Sequence, residues 1–143
     1  MVNVDPAPSP VRILVVDDFA PWRQQVCSIL QTDQDRHIVA EAGDGLEAVQ
    51  RAKELQPDLI VLDIGLPNLD GLEAAKRIRQ VAPAAKIIFL TNNSDEDVVR
   101  AALSDGAQGY VLKNDAAREL LTAVRKVLGG EHFVSNGIQA GNS

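Results

Sequence analysis

The chain has 143 residues, 45% of them hydrophobic, which is enough to fill one core and too few for a second folded module. With 14 basic and 20 acidic residues the formal charge is −6, the wrong sign for unaided binding to nucleic acid or to an anionic membrane. Proteins, small anions and metal cations remain as ligand classes. Residues 1–10 carry three prolines, no basic cluster and no apolar core, so they read as a flexible leader and not as a signal peptide or membrane segment. The single cysteine, Cys27, excludes an internal disulfide and suits a reducing, cytoplasmic setting; within an apolar helical pattern it reads as a small buried hydrophobe.

Val11 to Val16 is a β-branched apolar run that ends on Asp17-Asp18, the pattern of a strand buried on both faces whose last residues leave the core. Pro21 fits the first turn of a helix, with Trp22, Val26, Ile29 and Leu30 at helical spacing until the polar stretch from Gln31 to Arg36. Ile38 to Ala42 reads as a second strand, and Asp44-Gly45 opens a helix carrying Ala48, Ala52 and Leu55, ended by Gln56-Pro57. Leu59 to Leu62 repeats the opening pattern and ends on Asp63, followed by a Gly/Pro/Asn-rich turn and a helix from Gly71 with Leu72, Ala75 and Ile78. Lys86 to Thr91 is a fourth strand; Ser94 with Asp97 resembles a capping box for a helix running through Leu103. Gly109 to Leu112 is a short fifth strand leading to Lys113, and a helix from about Asp115 to Leu128 shows Leu120, Val124, Val127 and Leu128 on one side.

Alternating strands and helices predict an α/β fold, a parallel sheet with right-handed crossovers and helices on both faces. Gly129-Gly130 closes the domain on this reading, leaving 131–143 as a polar tail or linker start with Phe133, Val134 and Ile138 as its sizeable apolar residues.

In such a sheet Asp17, Asp18, Asp63, Thr91 and Lys113 all fall at strand exits on one edge, where open α/β sheets place their chemistry. Clustered carboxylates repel one another unless a cation neutralises them, and a hard divalent ion such as Mg²⁺ is the natural one. One carboxylate can then attack phosphorus while the metal, Lys113 and the Thr91 hydroxyl stabilise the phosphoryl oxygens, giving an aspartyl phosphate.

The segments VVDD at the first strand, VLDIGLPNLDG around the third, FLT at the fourth and GYVLK at the fifth resemble the receiver domain of bacterial two-component response regulators. The likeness covers Val11 to about Gly130, and DGLEA, GLEAAKRIR and GYVLKND are most similar to the NarL/FixJ-type subfamily, whose full-length members usually carry a LuxR-type helix-turn-helix. It implies a (βα)5 flavodoxin-like three-layer sandwich with a five-stranded parallel sheet in the order 2-1-3-4-5, here spanning 11–130 with no output domain in the chain. It implies that Asp63 is the phosphoacceptor, that Asp18, Asp63 and the Gly65 backbone carbonyl ligate Mg²⁺ or Mn²⁺, and that Asp17 supports the metal through water. Thr91 and Lys113 would bind the phosphoryl group, and Tyr110 would be a switch ring responding to Thr91. A histidine kinase or histidine phosphotransfer protein would be the donor, with no membrane and no direct nucleic-acid contact; a homodimer is left open by these residues. The implied role is signalling, an enzyme only in the sense of self-phosphorylation and slow self-dephosphorylation. Asn92 stands where the family usually has a small residue, and Asn114 where many members have proline.

Singly, Asp17 or Asp18 could cap the first helix, Asp63 could form a turn, Thr91 could end a strand, Lys113 could be a solvated charge and Tyr110 a core-edge aromatic; the five strand-exit residues together are a constellation. His37 and His132 form no donor pair or metal site. Gly43-Asp44-Gly45-Leu46-Glu47-Ala48 matches a dinucleotide-binding fingerprint, with Asp63 about twenty residues on as its acid, but would leave Asp17, Asp18, Thr91 and Lys113 unexplained. A haloacid-dehalogenase-type phosphatase would need a second Asp two residues after Asp63, where Gly65 stands. Two outputs are open: a free-standing receiver that relays phosphate or binds a target, or the regulatory part of a LuxR-type transcription factor.

Overall fold

The structure, a computed structural model, describes residues 10–141; the expected leader lies outside the described residues except for Pro10. β1 (Val11–Val16), β3 (Leu59–Leu62) and β4 (Lys86–Thr91) are apolar along nearly their whole length because both faces are covered. Alternation sends Leu14, Val16, Ile60, Leu62, Ile87 and Phe89 to one side of the sheet. Ile13, Val15, Leu59, Val61, Ile88 and Leu90 go to the other. On the first side the apolar faces of α2 (Gly45–Leu55), α3 (Gly71–Val81) and α4 (Glu96–Ser104) close the core; on the second, α1 (Ala20–Leu30) and α5 (Ala116–Leu128) do so. The result is the expected flavodoxin-like three-layer sandwich.

The strand order is β2-β1-β3-β4-β5-β6 and every pairing is parallel, with β2 at Arg36–Ala42, β5 at Gly109–Leu112 and β6 at Phe133–Val134. The five-stranded sheet expected from the sequence is therefore corrected to six, and the fold continues past Gly129-Gly130 through β6 into α6 (Asn136–Gly141). The reason is physical. The outer edge of β5 offers unpaired backbone groups, and the segment after Gly130 satisfies them: Phe133 N–H donates to the Gln108 carbonyl (3.0 Å) and Ser135 N–H to the Tyr110 carbonyl (2.9 Å). Ile138 enters the core at 6% exposure, and fully buried Ser135 bonds through its hydroxyl to Glu119 (3.0 Å) while Asn136 N–H donates to the same carboxylate (3.1 Å).

Local chemistry sets the helix starts. Asp44 and Asp70 cap α2 and α3, accepting from Glu47 N–H (2.8 Å) and Glu73 N–H (3.0 Å). The expected Ser94 capping box is corrected to Asp95, whose carboxylate accepts from Asp97 N–H (2.8 Å) and Val98 N–H (3.3 Å). A carboxylate one residue closer to the free donors, at the positive end of the helix dipole, wins over the hydroxyl. β2 starts at Arg36, two residues before the expected Ile38, because Arg36 pairs with Val11 at the sheet edge.

Cys27 is half-buried against the α1–α5 side of the core, and burial first, then the charge of Glu41, pushes its thiol from 9.0 up to about 11. At pH 8 the thiolate fraction falls about 100-fold below that of an ordinary thiol. Labelling with Ellman's reagent at that pH is expected to be slowed by at least this factor; a rate matching free cysteine would contradict the packing.

Candidate functional site

Parallel pairing brings the acids together. In the register Val16 lies opposite Leu62 and Leu62 opposite Phe89, so Asp17 and Asp63 leave adjacent strands side by side. The Asp63 N–H donates to the Val16 carbonyl (3.1 Å), fastening the two exits. Above them α3 begins at Gly71, whose N–H donates to the Ile64 carbonyl (2.7 Å). A Cβ at Gly71 would sit 2.0 Å from the Asp63 carbonyl oxygen, so only glycine lets the helix start this close.

Asp17 and Asp63 are buried at 3% and 7% exposure, whereas Asp18 stands exposed at the rim. One oxygen from each of the three carboxylates can be chosen so that all lie within 4.8 Å of one another. Lys113 crosses from the end of β5 and places its Nζ 2.7 Å from Asp17 Oδ2 and 3.0 Å from Asp63 Oδ2. The other oxygens are occupied by backbone: Asp17 Oδ1 accepts from Phe19 N–H (2.8 Å) and Asp63 Oδ1 from Ile64 N–H (2.7 Å). Neither Asp17 nor Asp18 caps α1, whose N-cap is Phe19.

Burial raises the Asp17 pKa above the ordinary carboxylate value, although the Lys113 hydrogen bond and the Phe19 N–H pull it down. Burial also works against the Lys113 ammonium, but its hydrogen bonds to Asp17 and Asp63 outweigh it and leave that pKa raised. One ammonium faces three carboxylates, an excess of negative charge on oxygen donors that suits a hard divalent cation. The residues present fit such an ion.

Beside Asp63 opens a cleft of about 390 Å³ lined by Asp63, Ile64, Gly65, Thr91, Asn92 and Asn93. Gly65 and Asn92 are exposed at its mouth, and Thr91 is buried at 3% exposure. All peptide bonds among the described residues are trans, including Lys113–Asn114.

Tyr110 points into the core at 0% exposure, its ring 6.1 Å from that of Phe89. Its hydroxyl donates to the Asn93 carbonyl (2.6 Å), while Asn93 N–H donates to Thr91 Oγ1 (3.3 Å). Burial first, then the charges of Asp63 and Asp95, shift this phenol well above 10.0. An unfolded tyrosine ionises near 10. The folded state thus holds its proton longer, so the contribution of Tyr110 to stability is complete below pH 10 and is lost as the pH climbs from there towards the folded pKa. Tyr110 is the only tyrosine in the chain, so phenolate absorbance near 295 nm is expected to rise only together with unfolding; ionisation near pH 10 with circular dichroism intact would contradict the buried placement.

The sequence-derived site residues Asp17, Asp18, Asp63, Gly65, Thr91 and Lys113 thus meet at one edge, with Tyr110 joined to Thr91 through Asn93. Three neighbours were not singled out for the site by sequence. Trp22 lies under the Lys113 ammonium, Arg23 donates to the Asp17 carbonyl (2.7 Å) and pairs with Glu41 (2.9 Å), and Asn93 is the hub between Thr91 and Tyr110. For Asn93 a signal existed, a turn-forming residue two after a strand-end threonine. For the other two, periodicity marked only a helix.

The dinucleotide reading finds no room. The α2 N-terminus is already filled by the Asp44 carboxylate, and a Cβ at Gly45 would lie 1.8 Å from the Leu69 carbonyl oxygen, so this glycine serves helix–loop packing. At Gly65 no carboxylate is available as the acid/base that a phosphatase of the haloacid type would need.

Residues 13–125 match the response regulator receiver domain family. The chain belongs to that family. It is 34% identical over 122 residues to the response regulator protein VraR of Staphylococcus saprophyticus, a match covering 85% of this chain and 58% of that protein. It is 39% identical over 125 residues to the oxygen regulatory protein NreC of Staphylococcus epidermidis, covering 87% and 57%. A LuxR-family two-component response regulator from Aurantimonas sp. superposes with a TM-score of 0.87 at 34% identity, covering 92% of this receiver and 94% of that chain. The receiver therefore spans little more than half the length of these two curated relatives, and the subfamily likeness read from the sequence agrees with the LuxR-family neighbour. No helix among the described residues is long and apolar enough to cross a membrane.

Proposed function

We propose that this receiver takes a phosphoryl group onto Asp63 from a histidine kinase or histidine phosphotransfer protein in a Mg²⁺- or Mn²⁺-dependent step. The observation that carries this is the meeting of Asp63 with Asp17, Asp18 and Lys113 at the exits of three parallel strands. Asp63 attacks phosphorus; the phosphorus–nitrogen bond of the donor phosphohistidine breaks, and the imidazole leaves with its electron pair and takes up a proton. Asp18, Asp63 and the Gly65 carbonyl would hold the metal, with Asp17 acting through water. When bound, the metal compensates the negative charge gathering on the phosphoryl oxygens. Lys113 moves its ammonium from Asp63 to a phosphoryl oxygen, and the Thr91 hydroxyl, on the wall of the same cleft, donates to another.

The product is a changed surface. Thr91 and Tyr110 share Asn93, so a displacement of Thr91 toward the phosphoryl group alters the bond that fixes the Tyr110 ring. Apart from slow self-hydrolysis, no external substrate is turned over. A second reading, the regulatory part of a LuxR-type transcription factor, is favoured by the 58% and 57% coverage of VraR and NreC; the reading frame downstream of Ser143 tests it. On both readings the receiver unit takes in β6 and α6.

Incubation with a small acyl phosphate and Mg²⁺ is expected to add one phosphoryl group by intact mass, and chelation of the metal to prevent it. No uptake by folded protein with metal present would overturn the proposal.

A further inference from the structure

The Lys113 ammonium has a third partner besides Asp17 and Asp63. Its Nζ stands 5.6 Å from the centroid of the Trp22 indole, on α1, within the range of a cation–π contact. Trp22 is packed against the α1–α5 side of the core, and its Nε1–H is buried with no hydrogen-bond partner. A leucine or phenylalanine there would fill apolar space without leaving a donor unpaired. The indole is thus a poor choice for packing alone and the best of the side-chain faces for a cation.

Resting on the phosphoacceptor reading, we propose that Trp22 is a positioning residue for phosphoryl transfer, holding Lys113 at the strand exit as its ammonium passes from Asp63 to the phosphoryl group. While Lys113 sits 3.0 Å from Asp63 Oδ2 it neutralises the nucleophile, so it has to give up that oxygen before the carboxylate attacks. Asp17 at 2.7 Å keeps the ammonium close but is itself a metal-side acid. The uncharged aromatic face is the partner that neither competes for the metal nor quenches the nucleophile. With it, Lys113 remains beside the cleft throughout; without it, the side chain is held by the acids alone or swings into solvent.

The test compares the wild type with Trp22→Phe and Trp22→Leu. In the wild type the ε-methylene protons of Lys113 are expected to be shifted upfield by the indole ring current. The shift persists, reduced, in Trp22→Phe and disappears in Trp22→Leu. Uptake from a small acyl phosphate with Mg²⁺ slows about fivefold in Trp22→Leu at saturating donor, a factor in keeping with an ordinary cation–π contact, and at most about twofold in Trp22→Phe. The donor concentration for half-maximal rate stays unchanged. A merely structural Trp22 would lower the melting temperature of both variants without this graded rate. An unshifted Lys113 in the wild type, or an unchanged rate in folded Trp22→Leu, overturns the inference. Absence of uptake in the wild type would instead overturn the phosphoacceptor reading, and the Lys113 signal would still decide whether the indole holds the ammonium.

Discussion

Asp63→Asn is expected to abolish phosphoryl uptake, by a factor of at least roughly 1000, while leaving the fold intact. The amide oxygen can still accept the Ile64 N–H now bound at 2.7 Å, so the strand exit keeps its local geometry. Lys113 loses its 3.0 Å contact with a charged Asp63 but retains Asp17 at 2.7 Å. One of three clustered carboxylates disappears, which relieves repulsion in metal-free protein, so the melting temperature should hold or rise. The neutral amide has no anionic oxygen to attack phosphorus. Intact mass after exposure to an acyl phosphate reads the result directly; uptake equal to the wild type would place the acceptor on another residue.

The second large effect concerns the segment after Gly130. Ile138→Ala removes a side chain that is 6% exposed and packed in the same cluster as Tyr110 and Val99. A large-to-small change at such a site costs about 3 kcal/mol, which lowers the melting temperature by roughly 10 °C in a domain of this size. Deleting residues 131–143 should cost more, since it also uncovers the β5 edge and removes the Ser135 and Asn136 bonds to Glu119. Thermal denaturation followed by circular dichroism measures both. Unchanged melting in the two variants would show that β6 and α6 add nothing to the fold.

The sequence by itself determined the layers and the location of the site. Runs such as Ile13 to Val16 and Leu59 to Leu62 are apolar at successive positions, as a strand covered on both sides requires, and the acid that ends each run marks where the strand leaves the apolar core at the sheet edge. Asp17, Asp18, Asp63, Thr91 and Lys113 are legible as strand-exit residues, as are the helices opened by Asp44-Gly45 and by Gly71.

Only the tertiary structure decided which partners those residues have. That Lys113 bridges Asp17 and Asp63, with Trp22 beneath it, depends on how far the β5 exit lies from α1 once both pack on the sheet. Asn93 joins Thr91 to Tyr110 through its backbone N–H and carbonyl, so its residue type marks a turn there but not the link. The short β6 and α6 contain too few apolar residues to show a period. They fold because β5 offers an open edge, and buried Glu119 offers a carboxylate that Ser135 and Asn136, brought back along that edge, satisfy.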